Sequence, residues 1–338
     1  MTASATTLVT GGTGFVGAHL VRALIERGDH VRCLVRQGSD RANLEGLDVE
    51  LVTGDLRDRA SLVRAVAGCR AVYHCAADYR LFARRPADLY ECNVEGSRNL
   101  LRAAGDAGAE RIVYTSSVAA LGLRPDGPSD ETVVATLETT IGHYKKSKLL
   151  AQQAALELAS EGLPVVIVNP STPVGELDVK PTPTGRIIVD YLAGRMPAYV
   201  DTGLNLIDVR DVAAGHLLAE TRGRIGEIYI LGHRDMTLEQ ILDLLSELTG
   251  LPAVRWRLPH AVPLAVGALS TAWARLAGGE PRVSLESARM ATKRMFFDAG
   301  KAVRELGLPQ SPIEGALARA VEYFRGRGLG ARVRGAGA

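Results

Sequence analysis

Tyr144 and Lys148 stand four residues apart in Tyr144-Lys145-Lys146-Ser147-Lys148, ahead of Leu149, Leu150, Ala154 and Leu158. That spacing puts a phenol and an ammonium on one face of a helix. An ammonium beside a phenol favours the phenolate and lowers its pKa, which makes tyrosine a usable acid or base near neutral pH. Surface helices carry the same pair without any chemistry, so the reading needs more groups. Ser117 is one. It closes the run Val113-Tyr114-Thr115-Ser116-Ser117, where a strand would bring hydroxyls to the edge of a sheet. Asn93 is another. It falls beside apolar positions, where a buried amide needs partners.

A second constellation is Thr10-Gly11-Gly12-Thr13-Gly14-Phe15-Val16-Gly17. The short run Thr6–Val9 precedes it, and Leu20, Val21, Leu24 and Ile25 follow at helical spacing, so the glycines sit where a buried strand turns into a helix. One glycine permits the turn, one lets the backbone approach a pyrophosphate, and one lets the helix pack closely, with free N–H groups facing the anion. The pattern predicts a dinucleotide site built on Gly11, Thr13, Gly14, Phe15, Val16 and Gly17.

These groups require a scaffold. Predicted strands at 7–10, 31–35, 49–53, 71–75, 111–115 and 164–168 alternate with predicted helices at 15–27, 60–67, 88–107 and 141–160. The alternation predicts an α/β, Rossmann-type doubly wound parallel sheet, with ligands beyond the carboxyl ends of the strands. Residues 1–170 with about 200–232 are expected to form the NAD(P)-binding domain. Residues 171–199 and 233–327 would form a smaller, mostly helical substrate lobe, and 328–338 a disordered tail.

The strand ends carry further signals. The second ends Leu34-Val35-Arg36, where enzymes that select NAD usually place an acid. A guanidinium suits a 2′-phosphate better than a hydroxyl, so Arg36 predicts NADP, with NAD as the alternative. Gly54-Asp55-Leu56 follows the third strand. Asp55 could accept from an adenine amino group or cap the next helix. Small residues Ala76 and Ala77 after the fourth strand leave room for a cofactor backbone; His74 reads as a strand residue.

Composition bounds the remainder. The 338 residues are 46% hydrophobic and 23% charged, with a formal net charge of +2. That is a globular composition with no pull toward nucleic acid. Cys33, Cys69, Cys75 and Cys92 lack metal-ligand spacing, and Cys33 and Cys75 fall in predicted buried strands, which predicts reduced thiols, no metal and a cytoplasmic protein. Residues 1–5 do not read as a signal peptide, and no run reads as a transmembrane helix. Helices starting near Asp88 and Ile141 carry apolar residues on more than one face, which predicts a homodimer.

The combination of Thr10–Gly17, Gly54-Asp55-Leu56, Asn93, Ser117, Tyr144/Lys148 and Asp208–Asp211 resembles the extended short-chain dehydrogenase/reductases, the NAD-dependent epimerase/dehydratase family, from about residue 6 to 325. Within it the chain is similar to dihydroflavonol-4-reductase-like enzymes. Ala77-Asp78-Tyr79-Arg80-Leu81 and Asn169–Arg186 make it similar to the group named hopanoid-associated sugar epimerases. The resemblance implies Tyr144 as acid/base, and Lys148 holding the nicotinamide ribose and depressing the Tyr144 pKa. It implies Ser117 bonding the substrate oxygen and Asn93 supporting the lysine through water. Pro170 and Thr172 would lie at the cofactor, and Tyr79, Lys180 and Arg186, with Ser117, at the substrate.

Departures matter too. Nucleotide-sugar epimerases of the family carry an Arg-Pro-x-Asn-type segment where this chain reads Asn169-Pro170-Ser171-Thr172. Their Arg-x-Gly-Asp-type pattern is replaced by Arg294-Met295-Phe296-Phe297-Asp298. Both features help hold a nucleotide diphosphate. Val118 and Ala119 stand where sugar dehydratases need an acidic pair. Three functions remain: a reductase or dehydrogenase, an epimerase that oxidises and re-reduces on retained cofactor, and a non-catalytic NADP sensor. The intact Ser117/Tyr144/Lys148 set argues against the sensor.

The stretch from Pro259 to Gly278 has Arg275 as its one firm charge. A helix over about 264–276 would be apolar around most of its circumference, which normally means burial in the lobe core. The sharper alternative is that Trp273 and its neighbours meet an apolar or lipid-linked substrate or a membrane surface.

Overall fold

The apolar, β-branched runs form strands, and the runs of helical period form helices. In the first half the order is β1 (Thr6–Thr10), α1 (Phe15–Arg27), β2 (His30–Val35), β3 (Glu50–Thr53), α2 (Arg59–Val66), β4 (Cys69–His74), α3 (Pro86–Tyr90), a π-helical turn (Glu91–Glu95), α4 (Gly96–Asp106), β5 (Arg111–Thr115), α5 (His143–Ser160) and β6 (Val165–Pro170). Then come β7 (Thr172–Val174), α6 (Pro183–Leu192), β8 (Ala198–Val200), β9 (Gly203–Asp208), α7 (Val209–Arg222), β10 (Ile228–Leu231), β11 (Arg234–Thr237), α8 (Leu238–Thr249), β12 (Trp256–Leu258), α9 (Ala261–Ala277), α10 (Leu285–Met290), β13 (Arg294–Met295), α11 (Gly300–Leu306) and α12 (Ile313–Gly326). The structure, a computed structural model, describes residues 6–79, 85–277, 279 and 285–330. Expectations that touch residues 1–5, Arg80, Leu81, Gly278 and 331–338 lie outside the described residues.

The chain divides into two compact units. The first comprises the chain up to Ser171, Val209–Gly232 and Phe297–Gln310; the second comprises Thr172–Asp208, His233–Phe296 and the chain from Ser311. Two segments differ from the expected division. Residues 200–208 join the second unit because β9 is the central strand of its sheet. Residues 297–310 join the first, where α11 packs on α7 and β10.

In the first unit, seven parallel strands run in the order β10-β6-β5-β4-β1-β2-β3. The chain winds outward from β1 to β3, returns, and winds the other way from β4. The crevice outside β1 and β4 is therefore the topological switch point, where such sheets hold ligands. Leu8, Val72, Ile112 and Ile167 pack under Leu62, Leu100, Leu101 and Leu158 from the helices on one face. Cys33 is buried in β2, whereas Cys75, expected inside a strand, lies just past β4 and is half-buried.

A charged hub joins three elements on the other face, where α1 packs against α7. The Glu220 carboxylate is buried on α7. It accepts from Arg27 at 2.6 Å, from the Tyr73 hydroxyl at 2.6 Å, and from Arg70. A buried carboxylate is tolerable only with such partners. They hold its pKa below the ordinary carboxylate value despite burial. A carboxyl held low in the folded state stabilises fully above the unfolded-state value, near 4.3. Its contribution then fades as pH falls through the folded pKa. Glu220→Ala should cost about 1–3 kcal/mol, because it leaves the buried Tyr73 hydroxyl without its acceptor, while Arg27 keeps Asp29. Urea unfolding across pH should show this loss at pH 7 and a flatter acid dependence; an unchanged midpoint would contradict the hub.

In the second unit, β9 pairs β11 antiparallel and β7 and β13 in parallel, and β8 pairs β12. Ile188, Leu192, Leu242, Leu317 and Phe324 bury α6, α8 and α12 together. The region after Met236, expected to be helical, contains β12 and β13 as well. A further difference is α9, whose described side chains point mostly to solvent: Leu269 is 72% and Trp273 73% exposed. The expected buried lobe-core helix is not what forms.

Candidate active site

The glycine turn forms at the switch point. Gly11 takes φ +76°, and a Cβ there would meet the Ala76 nitrogen at 2.7 Å. The end of β1 thus touches the end of β4, as only glycine allows. A Cβ on Gly17 would lie 2.2 Å from the Gly11 carbonyl oxygen. Helix α1 starts after Gly14 with no side-chain cap and no acid in its first turn. Uncapped N–H groups and the helix dipole suit an anion. Thr13 lies beside them, its carbonyl accepting from Asn43 at 3.2 Å. This cradle fits a dinucleotide pyrophosphate, with Gly11, Thr13, Gly14, Phe15, Val16 and Gly17 around it.

Arg36 follows β2 and is exposed. Its charge helps, behind Arg57, to hold Asp55 down to about 2. Of the two expected roles of Asp55, capping of the next helix is not what forms. Its carboxylate accepts from the Arg57 side chain at 2.8 and 2.9 Å. Asp58, not Asp55, caps α2 by accepting from the Ala60 N–H. Leu56 is buried against Gly96. Ala76 and Ala77 follow β4, and the Ala76 N–H donates to Thr10 Oγ1 at 3.2 Å. His74, buried, shares hydrogen bonds with Thr10 Oγ1 and Ser97 Oγ and is pushed down to about 3 by burial. It is a neutral structural group.

The π-helical turn between α3 and α4 aims Asn93 inward. Its Nδ2 donates to the Asp78 carbonyl and to Ser147 Oγ, both at 2.9 Å, and its Oδ1 accepts from the Asp78 N–H at 2.7 Å. Asn93 therefore bonds Ser147 and the Asp78 backbone, where the resemblance implied a water link to the lysine. It pins the loop carrying Tyr79, itself exposed, to α5.

Ser117, Tyr144 and Lys148 come together at the ends of β5 and α5. Ser117 Oγ accepts from the Ala119 N–H at 3.1 Å and lies near enough to the Tyr144 phenol to act on it. Burial pushes Tyr144 up to about 12, and nearby Ser117 pulls the other way. Lys148 is buried, donates to the Thr115 carbonyl at 2.9 Å, and is pushed down to about 8 by burial. Burial dominates the phenol here, and Lys148 is not among the groups that act on it.

Two residues escaped the sequence reading. Asn169 Nδ2 donates to the Ser117 carbonyl at 3.0 Å and to Gln152 Oε1 at 2.9 Å. Ser147 donates to the Tyr144 carbonyl at 2.7 Å. The available signal was polar residues inside buried runs, at the end of β6 and in α5. Ser116 Oγ is buried without a hydrogen-bond partner. Pro170 ends β6 and is buried. Thr172 opens β7 in the second unit, where Lys180 and Arg186 are exposed before and within the first turn of α6.

Residues 7–232 match the family described as NAD dependent epimerase/dehydratase. The chain belongs to that family. A Synechocystis protein provisionally named dihydroflavonol 4-reductase is 51% identical over 95% of this chain and 94% of its own length. Sterol demethylase protein B of Methylococcus capsulatus is 39% identical, over 96% of this chain and 99% of its own. The solved structure of gox2253 superposes with a TM-score of 0.87 at 48% identity, covering 96% of this chain and 99% of that one. This member of the epimerase/dehydratase family is therefore an enzyme, an NAD(P)-dependent oxidoreductase of the extended short-chain dehydrogenase/reductase type. Gly17→Ala should disable it early. The added methyl collides with the Gly11 carbonyl, and overpacking of this kind typically costs about 1–3 kcal/mol. Thermal melts with and without NADP should show a lower Tm and no cofactor shift; a wild-type shift would show that the cradle tolerates a side chain.

Proposed function

We propose that the enzyme is an NADP-dependent reductase or dehydrogenase acting on a hydroxyl or carbonyl carbon of a bulky, partly apolar substrate. The observation that carries the reading is the convergence of Ser117 and the Tyr144 phenol at the end of β5, with Lys148 buried one helical turn along. A nicotinamide cofactor supplies or accepts the hydride. Tyr144 gives a proton to the substrate oxygen in reduction and takes it in oxidation, and Ser117 orients that oxygen. Lys148, a cation in a desolvated pocket, favours the phenolate once the proton has left. The present high phenol pKa suits the acid role, since a neutral phenol carries the proton to be given.

The substrate class rests on the missing diphosphate-binding residues. Asn169 stands where nucleotide-sugar epimerases carry arginine, and its Nδ2 is spent on Ser117 and Gln152. Arg294 pairs with Asp201 at 2.9 Å within the second unit. Two relatives bear names of dihydroflavonol and sterol chemistry, in keeping with a large ring system.

Tyr144→Phe should lower NADPH oxidation about 10²–10⁴-fold while leaving cofactor affinity nearly unchanged. The assay presents a panel of polycyclic and lipid-linked carbonyl compounds beside free nucleotide sugars. A variant keeping more than half of wild-type turnover would sink the acid/base role. Cofactor retained through purification, with substrate interconverted and no net NADPH oxidised, would mark an epimerase instead.

The NADP preference rests on the exposed Arg36 beyond β2, where no acid stands. A charge-assisted bond to a 2′-phosphate is worth roughly 1.5–3 kcal/mol, so Arg36→Ala should weaken NADP about ten- to a hundredfold and leave NAD unchanged. Calorimetric titration with both cofactors decides it, and tighter binding of NAD by the wild type would count against the preference.

A further inference from the structure

Helix α9 is built inside out. Pro263, Leu264, Gly267, Ser270, Thr271 and Ala274 form its buried or half-buried face. Thr271 Oγ1 accepts from the Leu285 N–H at 2.9 Å, and α10 packs on that side. The outward face is Ala261, Val262, Ala265, Val266, Ala268, Leu269, Ala272 and Trp273, all exposed and all apolar. Val262, Val266, Leu269 and Trp273 recur at steps of four, three and four, so the large side chains form one stripe along the helix. Monomeric soluble surfaces rarely present such a stripe without a use for it.

We propose that this stripe docks the enzyme on a lipid bilayer surface, with α9 lying in the plane of the interface. Three observations choose the bilayer over a second copy of the chain. First, paired helices use charged or polar flanks to set register. Here every exposed position of α9 whose side chain is described is apolar. Second, tryptophan favours the membrane–water boundary. Trp273 sits at one end of the stripe, and Trp256, 78% exposed, lies six residues before its start. Third, the charge is one-sided. From Leu251 to Ala277 the sequence contains Arg255, Arg257 and Arg275 and no acid. Arg255 and Arg257 keep most of their side chains in solvent, although they pair with Asp243 at 3.9 Å and Asp201 at 3.6 Å. That balance suits anionic headgroups. Among the described residues no helix is long and apolar enough to cross a membrane, so the contact is peripheral. The proposal stands apart from the catalytic reading, since none of the residues of that reading lies on α9.

The test is co-sedimentation of the full chain with vesicles of phosphatidylcholine alone and of phosphatidylcholine with one quarter phosphatidylglycerol. The wild type should pellet with both, more with the anionic mixture, and stay bound in high salt because the wedge is apolar. Leu269→Asp/Trp273→Ser should reduce the bound fraction tenfold or more, as expected for removing two large apolar groups. The positions are exposed, so the melting temperature should not move. In a Trp256→Phe background, Trp273 emission should shift to the blue on adding vesicles. Failure of the wild type to pellet, equal pelleting of the double variant, or an unshifted Trp273 would overturn the proposal. So would a dimeric mass that the double variant converts to a monomer.

Discussion

The close approach of backbone to backbone at the end of β1 is the constraint on which the site depends. Gly17 lies against the Gly11 carbonyl and Gly11 against Ala76, so strand, helix and neighbouring strand meet with no side chain between them. This brings the uncapped start of α1 to the crevice where the strand order reverses. The positive end of the helix and its unsatisfied N–H groups then form an anion cradle from backbone alone. A Cβ on Gly11 or Gly17 would push α1 away from the sheet and remove the cradle with it.

The chemistry is held by a different device. Ser117, Tyr144 and Lys148 come from β5 and α5, and buried amides and hydroxyls fasten these elements to each other and to neighbouring loops. Asn169 bonds the Ser117 carbonyl and Gln152 of α5, while Asn93 bonds Ser147 of α5 and the Asp78 backbone. Each amide satisfies groups that would otherwise be buried without partners, so the cost of misplacing one is high. The π-helical turn is part of this arrangement, because an uninterrupted helix would rotate Asn93 off the inward face. The price of this dry setting is electrostatic: the phenol is raised and the ammonium lowered, both toward neutrality.

The second unit shows the opposite use of apolar residues. Its core closes with α6, α8 and α12, and α9 turns small and polar residues inward while valines, a leucine and a tryptophan face out. A helix of this composition reads as buried from its sequence, since nearly every position is apolar. What decides its placement is size: Gly267, Ser270 and Ala274 allow close packing on one side, and among the described residues no element covers the other.

The amino-acid sequence by itself determined the sheet. Period-two and period-3.6 runs, separated by glycines, allow one parallel alternation, and helix α1 and strand β5 begin and end where the local pattern says. It also determined the glycine cradle and the Tyr144/Lys148 pair, because those depend on spacing within one element. Tertiary structure alone decided what depends on distant partners. Glu220 reads as an ordinary helix charge until Arg27, Arg70 and Tyr73 surround it. Asn169 reads as a strand end until the Ser117 carbonyl meets it, and the outward face of α9 is visible only when the rest of its unit has packed. Local pattern reports propensity and period; burial, hydrogen-bond partners and pKa are properties of neighbours brought from far along the chain.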